Sequence, residues 1–213
     1  MNISRRDFLL SAAAMMLFPT DAFASTIVRT ERTFGVKQPE IVTEKIIEEE
    51  TWEVPVPRIR ETDFIIMLDD TSNRDVTKKI IVHHTGNKTD VDMTAKDIHL
   101  LHKYDFEWAG IGYHYVIRKD GLIERGRPET MKGAHSYGHN GDSIGIALSG
   151  NFDLADPTEY QMRSLMMLSA YLADKYDLEL DDKGTLFGHR DMNDTRCPGD
   201  NLYNRLDFVR NYA

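Results

Sequence analysis

Lys79-Ile80-Ile81-Val82-His83-His84 is the stretch whose reading decides the architecture. It is short, β-branched and apolar at consecutive positions, the mark of a strand buried on both faces. Such a strand needs cover above and below its sheet, and helices are the usual cover. Two histidines close the run. Strand side chains alternate, so His83 and His84 point to opposite faces, and the unbroken apolar pattern before them does not say which face is which.

Working outward, Thr94 followed by Asp97 resembles a capping box, and Ala95, Ile98 and Leu101 recur at helical spacing as far as Lys103. Residues 113–118 and 122–125 flank Asp120-Gly121, a two-residue hairpin signal that pairs them antiparallel. Residues 143–149 read as another strand. Thr158 with Gln161 caps a long helix through Tyr176, with Met162, Leu165, Met166, Leu168, Leu172 and Ala173 on its core face. Residues 185–188 form a last short strand, after which Asp200 caps a terminal helix carrying Leu202, Leu206 and Val209 at i, i+4 and i+7. The sum is an α/β domain over residues 76–213, a central mixed β-sheet flanked by helices.

Residues 1–24 read as an address. Ser4-Arg5-Arg6-Asp7-Phe8-Leu9, an apolar run over 8–18 and Ala22-Phe23-Ala24 resemble a twin-arginine export signal with its cleavage site. The apolar run is about half of the ~20 residues a spanning helix needs, so no stable membrane span is expected after cleavage. The periplasm or cell envelope is the implied destination. Residues 25–75 form an acidic arm or linker with Glu48-Glu49-Glu50 and Trp52-Glu53-Val54-Pro55-Val56-Pro57. Its prolines suit an edge segment packed through Trp52, Val54 and Val56, or a spacer. Lys and Arg number 26 against 35 Asp and Glu, a net charge of -9. With no basic cluster beyond the first few residues, a nucleic-acid partner is excluded.

Cys197 is the only cysteine in the chain, so it makes no disulfide within it. It lies in the polar loop Asn193-Asp194-Thr195-Arg196-Cys197-Pro198-Gly199, which fits a thiolate ligand better than a buried apolar residue. Cys197, His189 and one of the pair His83-His84 offer the sulfur and imidazole nitrogens that zinc takes. Three protein ligands leave one coordination position for water or substrate, the hydrolytic pattern, whereas four close a structural site. A blue-copper site would place a His and then a Met after the cysteine, and neither follows Cys197.

Six separated motifs then carry a resemblance: Ile80-Ile81-Val82-His83-His84-Thr85, Gly112-Tyr113-His114-Tyr115-Val116-Ile117, Gly133-Ala134-His135, Ser143-Ile144-Gly145-Ile146, Gly188-His189-Arg190-Asp191 and Cys197-Pro198-Gly199. In order and spacing they resemble the type 2 N-acetylmuramoyl-L-alanine amidases, a family that includes the peptidoglycan recognition proteins and the bacteriophage amidase lysozymes. The resemblance covers residues 75–213. It implies one Zn2+ ion on His83, His189 and Cys197, and hydrolysis of the amide between N-acetylmuramic acid and L-alanine in peptidoglycan or muropeptides. It implies catalytic hydroxyls on Tyr113 and Thr195, the latter where phage enzymes carry a lysine. His84, His114, His135 and Asn140, with His139 beside them, are implied at the substrate groove. A non-catalytic peptidoglycan-binding module is the alternative, against which the retained Cys197 speaks. Arg127 and Arg190 are candidates for a stem-peptide carboxylate. Glu124 and Glu107 read as solvated surface groups, and His99 and His102 as surface or packing residues.

Overall fold

β2 (Lys79–His84) lies inside a mixed sheet whose other strands are β1 (Ile59–Arg60), β3 (Tyr115–Ile117), β4 (Ile123–Arg125), β5 (Ser143–Leu148) and β6 (Leu186–Gly188). The spatial order is β1-β4-β3-β5-β2-β6. Only the β3–β4 pair is antiparallel. The computed structural model describes residues 54, 56–63, 65, 72–74, 76–180 and 184–213, within one compact unit, Val54–Ala213. The export signal and Trp52 lie outside the described residues. Among those described, no helix is long and apolar enough to cross a membrane.

Four helices complete the fold: α1 (Ala95–Leu100), α2 (Glu159–Tyr176), α3 (Asp200–Tyr203) and α4 (Leu206–Tyr212). Ile80 and Val82 of β2 share one core with Leu165, Leu168 and Leu172 of α2 and with Leu202, Leu206 and Val209 of α3 and α4. On β3, Val116 points the other way and packs with Ala95, Ile98 and Ile111 under α1. The alternation of strand side chains thus divides the sheet into an α2–α4 face and an α1 face.

Both capping boxes form, Thr94 with Asp97 and Thr158 with Gln161. Thr158 Oγ1 accepts from the Gln161 N–H at 3.1 Å and donates to the Lys119 carbonyl at 2.7 Å, so it ties α2 to the β3–β4 turn. Thr158→Ala should lower the unfolding free energy by about 1–2 kcal/mol, read from the midpoint of urea denaturation with an unchanged slope.

Local expectations need correction in five places. The first helix does not run on as an α-helix to Lys103. Leu101–Asp105 is a π-turn closed by the Phe106 N–H to the Leu101 carbonyl at 3.2 Å. Past α1, His102 turns inward, its Nδ1 accepting from the Gly112 N–H at 3.0 Å, and His99 does the same for Ile111 at 3.2 Å. The hairpin is not a two-residue one. The Gly121 N–H closes on the Arg118 carbonyl at 2.9 Å and Gly121 sits at φ +85°, so Lys119-Asp120 fill the turn and glycine takes the left-handed position after it. Asp200 does not cap, since its carboxylate pairs with Arg190 at 2.7 Å. The helix it begins also breaks in two, with the Arg205 N–H bonding Leu202 in one tighter step. Lastly, Val56 is 74% exposed, and the arm joins the fold through Ile59 instead, on edge strand β1.

Candidate metal centre

His83 sits near the end of β2 and shares a face with Ile81, opposite the α2 core. β6 runs parallel to β2 and delivers Gly188, after which a single 3-10 turn, His189–Asp191, begins. That turn is built by its own motif. Asp191 accepts from the Gly188 N–H at 2.8 Å and from the Tyr203 hydroxyl at 2.5 Å. The Arg190 N–H reaches the Cys197 carbonyl at 2.8 Å, and the Arg190 guanidinium lies over the Tyr203 ring at 4.6 Å. Arg190 therefore folds the loop that returns Cys197 to the sheet, and its carboxylate partner is Asp200 rather than a ligand.

The outcome is a convergence of His83, His189 and Cys197, whose ligand atoms all lie within 4.8 Å of one another. Cys197 Sγ is 3.7 Å from His83 Nδ1, and the His83 and His189 ring centroids are 4.4 Å apart. The donor set suits zinc, which accepts imidazole nitrogen and thiolate sulfur in this combination. Burial, and secondarily His189, hold the His83 imidazole well below its usual pKa, and burial lowers that of His189. Both rings are therefore neutral at pH 7, with a lone pair to give. Burial pushes the Cys197 thiol up to about 12, opposed by the His84 N–H that points at its sulfur from 3.4 Å. A cation at the centre would reverse that shift, because a coordinated thiol loses its proton.

Tyr113 packs its ring 5.1 Å from that of His83. Burial, and after it Cys197, raise its hydroxyl pKa, so Tyr113 stays a hydrogen-bond donor. Thr195 Oγ1 accepts from the Cys197 N–H at 3.2 Å, which shapes the ligand loop and leaves the hydroxyl proton to donate elsewhere.

The remaining expected site residues are sorted differently. His84 belongs to the opposite face of β2: its Nδ1 accepts from the Phe152 N–H at 3.2 Å and its ring packs on Phe152. Only its backbone touches the centre. His114 is 0% exposed, accepting from the Gly145 N–H and meeting the Met131 carbonyl, each at 3.0 Å. Both ring nitrogens are taken, so it faces no groove. His135 reaches the ligand itself, Nδ1 to His83 Nε2 at 3.0 Å. Asn140 Oδ1 accepts from the N–H groups of His135 and Ser136 at 2.8 and 2.9 Å, and His139 contacts Lys79. Arg127 is buried, held by the carbonyls of Ile111 and Lys132, and burial pulls its pKa down to about 10. Glu124 is not a surface group. It is 3% exposed and accepts from the Ala95 N–H at 2.7 Å, at the start of α1. Glu107 is exposed, as expected.

Asn193, Ser136 and Ser143 are absent from the sequence-based site. Asn193 Oδ1 lies 3.0 Å from His189 Nε2. The only signal for it is its place four residues after His189, and a loop asparagine usually makes local turns.

Residues 72–200 match the N-acetylmuramoyl-L-alanine amidase family. The endolysin of Klebsiella phage KP32 is 32% identical over 136 residues, 62% of this chain and 86% of that protein. Peptidoglycan-recognition protein SC2 of Drosophila simulans is 34% identical over 138 residues, 62% of this chain and 73% of that protein. Among solved structures, the N-acetylmuramoyl-L-alanine amidase LysC from Clostridium intestinale superposes with a TM-score of 0.66 at 38% identity, covering 74% of this chain and all of LysC (100%).

Proposed function

This chain belongs to the N-acetylmuramoyl-L-alanine amidase family, and we propose on that premise that it is a zinc-dependent hydrolase of the amide joining N-acetylmuramic acid to L-alanine in peptidoglycan or muropeptides. The observation that carries the reading is the convergence of His83, His189 and Cys197 within 4.8 Å. One zinc ion held there supplies a Lewis acid for the amide carbonyl and a nucleophile-generating water site at neutral pH. The protein's own groups do the rest. Neutral His83 and His189 and the Cys197 sulfur would hold the ion as three protein ligands. Tyr113 supplies a buried, protonated hydroxyl to the oxygen that gains charge as the carbonyl becomes tetrahedral. Thr195 can add a second donor without the positive charge of a lysine, a weaker stabiliser. Glu124 is engaged at α1 and is no candidate for the general base.

Tyr113→Phe keeps the ring and removes the donor. Its kcat should fall about 10²-fold with KM little changed, the signature of an interaction made mainly in the transition state.

The reading extends to place. The Arg5-Arg6 signal supports export by the twin-arginine route to the periplasm or envelope, where peptidoglycan is the available polymer. A binding-only module is the second reading, favoured by the similarity to a recognition protein and opposed by the retained cysteine.

Mass spectrometry of muropeptides digested with and without a chelator separates these. Free stem peptides beginning with L-alanine should appear, vanish on chelation and return with zinc. Turnover indifferent to chelation would remove zinc from the mechanism. Muropeptide binding without any turnover in the zinc-loaded protein would establish the module instead.

A further inference from the structure

The two imidazole ligands are each held from behind by a hydrogen-bond arm, and both arms start from adjacent residues of one loop. We propose that the loop from Gly133 to Ser143 and Asn193, which it grips through Ser136, form a clamp that sets the tautomer and aim of His83 and His189, with His135 and Asn193 as the positioning residues. The proposal rests on the zinc-amidase reading for its purpose, though the hydrogen bonds stand without it.

The protons can be placed by following each arm to an unambiguous acceptor. Ser143 donates its hydroxyl to the His139 carbonyl at 2.6 Å, so what Ser143 Oγ offers His135 Nε2, 3.5 Å away, is a lone pair. His135 therefore carries its proton on Nε2, and its Nδ1 is an acceptor. That Nδ1 lies 3.0 Å from His83 Nε2, which must be the donor. The lone pair of His83 is left on Nδ1, the atom 3.7 Å from Cys197 Sγ. The ring of His135 lies in the space that two glycines leave open. A Cβ on Gly133 or Gly145 would stand 2.4 or 2.6 Å from its Cδ2.

The second arm ends on Asn193. Its Nδ2 donates to the Tyr137 carbonyl at 3.1 Å, which settles which end of the amide is oxygen. Oδ1 then accepts from the Ser136 hydroxyl at 2.7 Å and from His189 Nε2 at 3.0 Å. His189 Nδ1 is left for the metal. Asn140 holds the root of both arms, accepting the backbone N–H groups of His135 and Ser136 on one oxygen. Partners of this kind fix ligand orientation, and their loss typically costs 10–100-fold in metal affinity.

Zinc affinity of the full chain, measured by chelator competition, tests the clamp alongside long-range proton–nitrogen NMR of the histidine rings. Asn193→Ala and His135→Ala should each weaken zinc about 10–100-fold. Asn193→Asp should recover part of the loss, because a carboxylate accepts the same two bonds while giving up the donation to the Tyr137 carbonyl. In the metal-free protein, His83 and His189 should both be protonated on Nε2, and Asn193→Ala should disturb the His189 pattern while leaving His83 as it was. Nδ1 protonation of either ring in the unaltered protein, or variants that bind zinc as tightly as it does, would overturn the clamp. Failure of the unaltered protein to bind zinc would instead strike the amidase reading, while the tautomers still judge the clamp. A variant that does not fold is replaced by Asn193→Asp and by the tautomers of the unaltered chain.

Discussion

Cys197→Ala should leave a folded protein that releases no stem peptide above about one-thousandth of the unaltered rate. On the proposed reading, a zinc centre would contribute several kcal/mol to the transition state, and each 1.36 kcal/mol is a factor of ten. Removing one of three ligands leaves His83 and His189, too few for a defined open site. The fold should survive because Cys197 makes only weak contacts of its own: it accepts one N–H at 3.4 Å and lies 3.7 Å from His83 Nδ1. Thermal unfolding by circular dichroism checks that, and quantitation of released peptide checks the loss. Unchanged turnover in this variant would sink the amidase mechanism.

Acid should destabilise the metal-free protein steeply, beginning above the range where carboxylates titrate. Burial lowers His102 to about 4 and His114 to about 3 from an ordinary value of 6.5. A base with a depressed pKa in the native state favours folding fully above its unfolded value. That contribution is lost as pH falls, because the unfolded chain takes up the proton first. The window runs from about 6.5 to about 4 for His102 and to about 3 for His114. Each group lowers the unfolding free energy by about 1.4 kcal/mol per pH unit within its window, together about 3, against a total of about 5–15. Urea denaturation in chelator at pH 7, 6 and 5 reads the slope. His102→Gln, whose amide oxygen can still accept from Gly112, should reduce it by about 1.4 kcal/mol per pH unit. A flat profile between pH 7 and 5 would contradict the neutral, buried state of these rings.

The elements were legible in the sequence where a local rule governs them. Thr94 and Thr158 announce their helices because a capping box closes within four residues, and Leu165, Leu168 and Leu172 mark the buried side of α2 by periodicity alone. The turn at Gly121 and the π-turn at Leu101 escaped because each depends on one extra residue in a closing hydrogen bond, which composition does not reveal. The roles of His114, Glu124 and Arg190 were misjudged for another reason. A polar side chain looks available until its partners are known: those of His114 and Glu124 are backbone N–H groups distant in sequence, and that of Arg190 is the Asp200 carboxylate.

From its residues alone this chain determined a buried strand with two histidines, a mixed sheet with helices, and a loop cysteine suited to a metal. Those follow from periodicity, capping and side-chain chemistry, which are properties of short windows. Strand periodicity leaves His83 and His84 open and the family resemblance implies His83, but only the tertiary structure supplies the physical reason. The choice turns on which face of β2 receives α2 and which is left for His189 and Cys197, and an apolar strand covered on both sides carries no local mark of that. His135 likewise meets His83 only because a loop folds back across more than fifty residues of chain, and the same fold brings Ser136 to Asn193, itself four residues from His189.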